Sequence, residues 1–183
     1  ILYTPTWRPY NFNFPLGYMK DMNYLKFNDY LEDNDLYFFF SHHSIQNYNN
    51  KPKNYSRIIF IDHFKYPFYD PTSFMKNVTI LINDYSASST EFAILKKPQI
   101  FYMPDYKKYK NYKGFLEDYK KNLIGFEAKD YKSFIFYIDK CIKDKHIVGT
   151  GNIYEEPRSP SLVDNIQEWK NDEELENDGN ILD

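Results

Sequence analysis

The chain has 183 residues, which fits one compact domain or one domain with an appended segment. Its net charge of −3 argues against a dedicated nucleic-acid-binding protein, which would carry a basic surface. The single cysteine, Cys141, excludes an intrachain disulfide and a cysteine zinc site, and it suits a reducing cytoplasm. No stretch reaches the roughly 18 apolar residues of a membrane helix, and no signal peptide is recognisable. Because Ile1 already lies in a strand-like run, we expect the chain to be part of a longer protein.

Short apolar runs alternate with amphipathic or polar segments along most of the chain. Apolar or β-branched runs predict strands, and apolar residues at helical spacing or capping residues predict helices. The rhythm of buried-type strands and connections predicts a Rossmann-like α/β fold with a doubly wound, mostly parallel sheet. The strands are expected at residues 1–4, 36–40, 58–61, 78–82 and 99–103, and the helices at residues 21–32, 70–75, 90–95 and 130–145.

Polar side chains follow the first two predicted strands at their carboxyl ends. Thr6 and Arg8 follow the first strand, and His42 and His43 follow the second. In open α/β sheets, ligands bind at this edge, so these donors are candidate ligand contacts. Adjacent histidines on an extended segment point in opposite directions, so we expect one of them to face the site. A histidine metal pair is the alternative, but no further ligands occur at suitable spacing, and we predict no metal site.

The stretch from Val78 to Phe92 carries the strongest functional signal. An apolar run ends at Asn83 and Asp84, and hydroxyl residues follow before a predicted helix. Free amides at a helix start favour a phosphate, small hydroxyl side chains add donors, and Glu91 can accept both hydroxyls of a ribose. We interpret this stretch as a site for a nucleotide diphosphate. The alternative is that Asp or Ser only caps the helix. The candidate ligand contacts here are Asp84, Ser86, Ser88, Ser89, Thr90 and Glu91.

The later part of the chain leaves other hypotheses open. Residues 106–121 are dense in Lys and Tyr, which is typical of a solvated face but would also suit an anionic polymer, acidic lipid head groups or a single nucleic-acid strand. Cys141 lies on the apolar stripe of the last predicted helix and is expected in the core. The composition changes at about residue 149. We therefore predict a nucleotide-binding domain at residues 1–148 and a C-terminal tail at residues 149–183, with a possible short helix and an acidic end.

Several motifs together resemble one enzyme family. These motifs are I-L-Y-T-P-T-W-R at residues 1–8, L-I-N-D-Y-S-A-S-S-T-E-F at residues 81–92, K-P-Q-I-F-Y-M-P-D at residues 97–105, and Lys113-Gly114-Phe115. In this order and spacing the chain resembles the C-terminal half of bacterial CDP-glycerol glycerophosphotransferases, which polymerise teichoic acids and capsules. Ser44 stands where the family has Pro after its histidine, Lys113 replaces Arg, and Leu123-Ile124-Gly125 stands where the family has a Pro-Gly-Pro element.

The resemblance implies a fold, a reaction and site residues. The chain would be the donor-nucleotide half of a GT-B architecture, and a missing N-terminal half would supply the general base. The reaction would move glycerol phosphate, or a related polyol phosphate, from CDP-glycerol or another CDP-polyol to a polyol-phosphate or glycan acceptor, with no cofactor required. His43 and Arg8 would be catalytic, and Thr6, Lys113 and Gly114 would join the nucleotide and phosphate contacts named above.

The expected location is the cytoplasm, with peripheral contact to the inner face of the cell membrane, and no nucleic-acid partner is expected. Two alternatives stay open at this stage. One is a GT-B glycosyltransferase that uses a CMP- or UDP-sugar, and the other is a non-catalytic module that binds polyanions.

Overall fold

A parallel six-stranded sheet organises the part of the chain that the computed structural model describes, which comprises residues 1–10, 15–41, 55–61, 70–115 and 119–143. Every neighbouring pair of strands is parallel, and the spatial order is β3-β2-β1-β4-β5-β6. The predicted doubly wound α/β fold is therefore confirmed. The strands are β1 (Leu2–Tyr3), β2 (Phe38–Phe40), β3 (Ile58–Phe60), β4 (Leu81–Asn83), β5 (Gln99–Tyr102) and β6 (Phe126–Ala128).

Helices connect these strands, and single 3-10 turns at Pro15–Tyr18 and Tyr119–Asn122 accompany them. The second helix begins as its sequence indicates, because Asp70 accepts hydrogen bonds from the amides of Thr72 and Ser73 at 3.1 and 2.9 Å. The last helix begins in the same way, with the Ser133 amide donating to Asp130 at 2.8 Å. The helices are α1 (Tyr24–Asp33), α2 (Pro71–Met75), α3 (Ser88–Ile94), α4 (Tyr106–Lys113) and α5 (Tyr131–Lys143).

One face of the sheet carries an aromatic core. Tyr3 and Phe40 meet edge to face at a ring distance of 5.4 Å, and Phe27 of α1 lies 5.7 Å from Phe134 of α5. Cys141 is buried in this core, as predicted. Burial raises the pKa of its thiol to about 12, so the thiolate needed by a nucleophile is disfavoured.

The opposite face of the sheet is covered by other helices. Phe39 of β2 packs edge to face against Phe74 of α2 at 5.1 Å, and α3 packs against β4. Phe92 of α3 is fully buried. Successive residues of a strand point to opposite faces, so alternate strand residues belong to this second layer.

Some boundaries differ from those expected from sequence. The strand expected at residues 78–82 runs over Leu81–Asn83, and α3 begins at Ser88 instead of Thr90. Asn83 belongs to the strand because its backbone pairs with Phe101. Its polar side chain ends the apolar run in the sequence, so the sequence predicts that the strand ends before it.

Two elements were not predicted as such, β6 and α4. The strand β6 is short, and α4 exposes nearly its whole surface, with Tyr109 as its buried residue. No helix within the described ranges is long and apolar enough to cross a membrane. The predicted boundary at residue 148 and the C-terminal tail lie outside the described residues.

Candidate functional site

The carboxyl ends of β1 and β4 meet at the point where the order of the strands reverses. In a doubly wound sheet this reversal opens a crevice outside the strand ends, and ligands bind there. The loop after β1 brings Thr6 and Arg8 to this edge, the turn after β4 brings Asp84, and the turn after β5 brings Asp105.

Asp84 joins the turn after β4 to the loop after β1. Its carboxylate is fully buried and accepts hydrogen bonds from the Thr6 amide at 2.9 Å, from the Thr6 hydroxyl at 2.6 Å and from the Arg8 guanidinium at 2.8 Å. The Tyr85 amide donates to the same carboxylate. These hydrogen bonds and the charge of Arg8 compensate for the cost of burying the Asp84 carboxylate.

Arg8 is the cation of this edge, and only 3% of its surface is exposed. Its Nε donates to Asp105 at 2.7 Å, and its Nη2 donates to Asp84 and to Asp105 at 2.8 and 3.0 Å. Tyr85 and Tyr109 stack on each other with 4.1 Å between ring centroids, and both rings lie near the guanidinium, at 4.9 and 5.0 Å from its central carbon. We call Arg8, Asp84 and Asp105 the buried ion-pair network.

Charge pairing fixes the protonation states in this network. Burial alone would lower the pKa of Arg8, but Asp84 and Asp105 raise it well above its usual value. Burial alone would raise the pKa of Asp105, but hydrogen bonds and charge from Arg8 outweigh burial and lower it. One positive charge against two negative charges leaves the network with a net charge of −1.

Tyrosine hydroxyls complete the coordination of the two carboxyl residues. Tyr10 and Tyr85 donate to the Asp105 carboxylate at 2.6 and 3.0 Å, and Tyr119 donates to the backbone carbonyl of Asp84 at 2.6 Å. Burial raises the pKa of Tyr119 to about 12, so its hydroxyl remains a donor at neutral pH. The edge of the sheet is therefore held by an ion-pair network enclosed in phenol rings.

The turn that opens α3 is of a different kind. We call residues 86–90 the serine turn. Its amides are not free as predicted: the Ser88 amide donates to the Ser86 hydroxyl at 3.2 Å, the Ser89 amide to the Ser86 carbonyl at 3.3 Å, and the Thr90 amide to the Ala87 carbonyl at 2.9 Å. The first two distances are at the long end of the range for N–H donors. The side chains of the turn are half-buried or exposed. The Ser86 and Ser88 hydroxyls also bond to each other, so the crevice presents paired hydroxyl groups, and the amides of these three residues already have partners.

Other predicted contacts lie near the serine turn in sequence or at the next helix. Glu91 is exposed in the first turn of α3, with the Thr72 hydroxyl 3.4 Å from its carboxylate. Lys113 is exposed at the end of α4, and Gly114 ends that helix at a positive φ of 70°, which favours glycine. Phe115 then stacks on Tyr119 at 4.9 Å.

Comparison with known proteins identifies the family. The model of the CDP-Glycerol:Poly(glycerophosphate) glycerophosphotransferase family matches residues 1–149. The chain belongs to this family. It is 32% identical over 136 residues to the teichoic acid glycerol-phosphate primase of Bacillus subtilis (strain 168), an alignment that covers 74% of this chain and 33% of the primase.

Two further relatives agree with this assignment. A teichoic acid glycerol-phosphate transferase of Staphylococcus aureus (strain NCTC 8325 / PS 47) is 39% identical over 80 residues, which cover 43% of this chain and 19% of the transferase. The solved structure of the wall teichoic acid polymerase TagF has a TM-score of 0.57 and 25% identity, covering 78% of this chain and 34% of that structure. The aligned part of the chain thus covers about a third or less of the length of these relatives.

The described geometry separates the predicted site residues into two groups. Thr6, Arg8 and Asp84 bind one another in the interior, while the serine turn, Glu91 and Lys113 have partly or fully exposed side chains. His42 and His43 lie outside the described residues, so the role predicted for His43 stays a prediction. No three His, Cys, Asp or Glu side chains within the described ranges are grouped as metal ligands would be.

The sequence analysis missed the partners of the network. Asp105 and the phenols of Tyr10, Tyr85 and Tyr119 were not proposed as site residues. Asp105 follows a predicted strand after one intervening residue, as Asp84 does, so the strand-end criterion that selected Asp84 would also have selected it. The tyrosines carry no such signal, because they are three of 19 in the chain.

Proposed function

We propose that this chain supplies the donor-nucleotide site of a polyol-phosphate transferase. The enzyme would move glycerol phosphate, or a related polyol phosphate, from a CDP-linked donor to a growing teichoic-acid or capsule polymer. The observation that carries the proposal is the serine turn. It is a run of accessible hydroxyl groups at the strand-order reversal, in a chain that belongs to a glycerophosphotransferase family.

The reaction requires positioning and neutralisation of charge more than covalent chemistry by the protein. An acceptor hydroxyl oxygen attacks the phosphorus that carries the polyol, the bond from that phosphorus to the bridging oxygen breaks, and CMP leaves with the electron pair. The acceptor proton passes to a base. In this proposal Ser86 and Ser88 hold the diphosphate, Ser89 and Thr90 line its approach, and Glu91 accepts the ribose hydroxyls.

The cationic contributions come from other segments. Lys113, exposed at the end of α4, would neutralise phosphate charge, with Gly114 setting the turn that follows it. His43 would bind phosphate as a cation or take part in proton transfer.

The roles of Thr6, Arg8 and Asp84 are revised by their contacts. Each is engaged with another member of this group, and the Arg8 guanidinium already has two carboxylate partners. We therefore propose that they act as positioning residues that hold the loop after β1 and the serine turn together, and not as direct phosphate ligands.

The relatives are more than twice as long as the chain, and we propose that the full enzyme has a second half. That half would complete a GT-B architecture and carry the general base and the acceptor site. The enzyme would work in the cytoplasm, at the inner face of the membrane, where exposed lysines such as Lys107 and Lys110 can meet acidic head groups.

Calorimetric titration of the 183-residue chain tests the proposal. We expect binding of CDP and CDP-glycerol, weaker binding of UDP-sugars, and no polymerase turnover by this chain alone. The double variant Ser86→Ala/Ser88→Ala should lose most of the affinity for CDP.

The control changes Lys107, Lys108 and Lys110 to Ala, which should leave CDP affinity unchanged because these residues are not part of the proposed site. Loss of binding in the lysine variant, with the serine variant unaffected, would favour the polyanion-binding alternative. Tighter binding of a CMP- or UDP-sugar than of every CDP-polyol would favour the glycosyltransferase.

A further inference from the structure

One buried hydroxyl at the same edge of the sheet has no partner among the described residues. Thr4 follows β1 directly, and only 8% of its surface is exposed. Its amide donates to the Ile82 carbonyl at 3.1 Å, but its hydroxyl has no hydrogen-bond partner anywhere in the described part of the chain. Buried hydroxyl groups are nearly always paired, so an unpaired one in a native fold calls for an explanation.

The position of Thr4 points to the candidate site. Tyr3 packs its ring against Phe38 and Phe40 on the aromatic face of the sheet, so the next residue along the strand directs its side chain to the other face. That face is the one that α3 covers. Extending the pairing of Tyr3 with Ile82 by one residue sets Thr4 beside Asn83, whose side-chain amide donates to the Ser86 carbonyl at 3.4 Å. Thr4 therefore shares an edge and a face with the serine turn.

The surroundings favour a neutral ligand group. The strand-end neighbours of Thr4 are Ser41 and Asn83, both buried and uncharged. A threonine hydroxyl can donate and accept a hydrogen bond, which matches an alcohol group.

We infer that Thr4 is a binding residue for the polyol of the donor, with its Oγ1 exchanging a hydrogen bond with a polyol hydroxyl. This inference rests on the proposed function and adds a residue that selects the transferred group. The serine turn and Glu91 then bind the nucleotide, and Thr4 contributes only when a polyol is attached.

The test replaces the hydroxyl with a methyl group of the same shape. Thr4→Val should bind CDP as the wild type does, but bind CDP-glycerol about tenfold more weakly, the loss of one useful hydrogen bond. Thr4→Ser, which keeps the hydroxyl, should retain most of the affinity. The denaturation midpoint of Thr4→Val should be equal to or above that of the wild type, because no protein hydrogen bond is lost.

Thr6→Val is the matched control in the same loop. Its hydroxyl donates to Asp84 at 2.6 Å, so its removal should lower the denaturation midpoint. A second measurement needs no variant: a CDP-linked donor that lacks one polyol hydroxyl should bind wild type more weakly than CDP-glycerol, and Thr4→Val should not distinguish the two.

The possible results distinguish a failure of this inference from a failure of the proposed donor-nucleotide site. Equal CDP-glycerol affinity in wild type and Thr4→Val overturns the inference and leaves the donor site standing. An equal loss for CDP and CDP-glycerol also overturns it, since the contact would then be to the nucleotide. Failure of the wild-type chain to bind CDP contradicts the proposed function itself, and the inference with it.

Discussion

The buried ion-pair network and the serine turn lie at the same edge of one sheet but are built in opposite ways. In the network, Asp84 is fully buried and Arg8 nearly so, and charge-assisted bonds of 2.7–3.0 Å join its members. In the serine turn, the Ser86 and Ser88 hydroxyls bond to each other, the amide contacts measure 2.9–3.3 Å, and the side chains are partly or fully exposed. One region is closed by buried ion pairs, and the other can exchange uncharged contacts within the turn for a ligand.

The difference assigns separate tasks to residues that a strand-end pattern groups together. Charged residues at a ligand edge need not touch the ligand, because a buried cation with two carboxylate partners has little capacity left for a phosphate. The network is expected to determine stability, and the serine turn is expected to determine affinity.

Removing the cation of the network should have the largest effect. Arg8→Met leaves Asp84 and Asp105 buried without their charge partner, and breaking a buried pair in this way costs about 3–5 kcal/mol. Urea denaturation followed by circular dichroism measures the loss. Arg57→Met is the control, because Arg57 pairs with the exposed Asp35, and such pairs contribute about 0–1 kcal/mol. Equal losses in the two variants would mean that the network is not a stabilising unit.

Acid should weaken the same network. Hydrogen bonds and charge from Arg8 hold the pKa of Asp105 below its usual value of 3.8, so the stability it provides is present above about that pH and is lost as the pH falls through the lowered folded pKa. Unfolding midpoints measured between neutral pH and pH 2 should fall chiefly below pH 4. The slope should be shallower in Asp105→Asn, and an unchanged slope in that variant would exclude Asp105 as its source.

Tyr119→Phe should have a moderate effect on stability. The variant keeps the ring that stacks on Phe115 but removes the hydroxyl that donates to the Asp84 carbonyl, which contributes about 1 kcal/mol. Because that bond also restrains the turn before Ser86, CDP affinity should fall as well. Tyr112→Phe, on the exposed side of α4, should change neither quantity.

Glu91→Gln should have the smallest effect on stability and so gives the sharpest contrast. Glu91 is exposed and its hydrogen bond from the Thr72 hydroxyl is long, so the free energy of unfolding should change by about 0.5 kcal/mol or less. Affinity for CDP should nevertheless fall, because the amide accepts the ribose hydroxyls less well than the carboxylate. Titration of both proteins at equal ionic strength measures the change, and unchanged affinity would remove Glu91 from the proposed site.

The fold could be predicted because its strands are short apolar runs with clear ends. Ile58–Phe60 and Gln99–Tyr102 were recognisable in this way. Phe126–Ala128 was not, because Glu127 interrupts the apolar run and three residues are too few to establish an alternation. The helix Tyr106–Lys113 was missed for a related reason, since a helix that is polar almost all round has no apolar stripe to detect.

The site could be located from sequence, but the division of tasks within it could not. Ser86 and Asp84 lie two residues apart after one strand, and the pattern gives both the same role. Their difference comes from Thr6 and Arg8, which are separated from Asp84 by 78 and 76 residues. Pairings over such distances depend on which strands become neighbours, and that information is not local.

Those long sequence separations also affect how the protein folds during its synthesis. Arg8 precedes Asp105 by 97 residues, so on a ribosome its guanidinium is made long before the second of its carboxylates. Closing so large a loop is entropically costly, and contacts of this kind form late in folding. A nascent chain that stops before β5 would hold a cation without its full set of partners. Competence to bind a nucleotide should therefore arise together with the completed sheet, and not in any shorter intermediate.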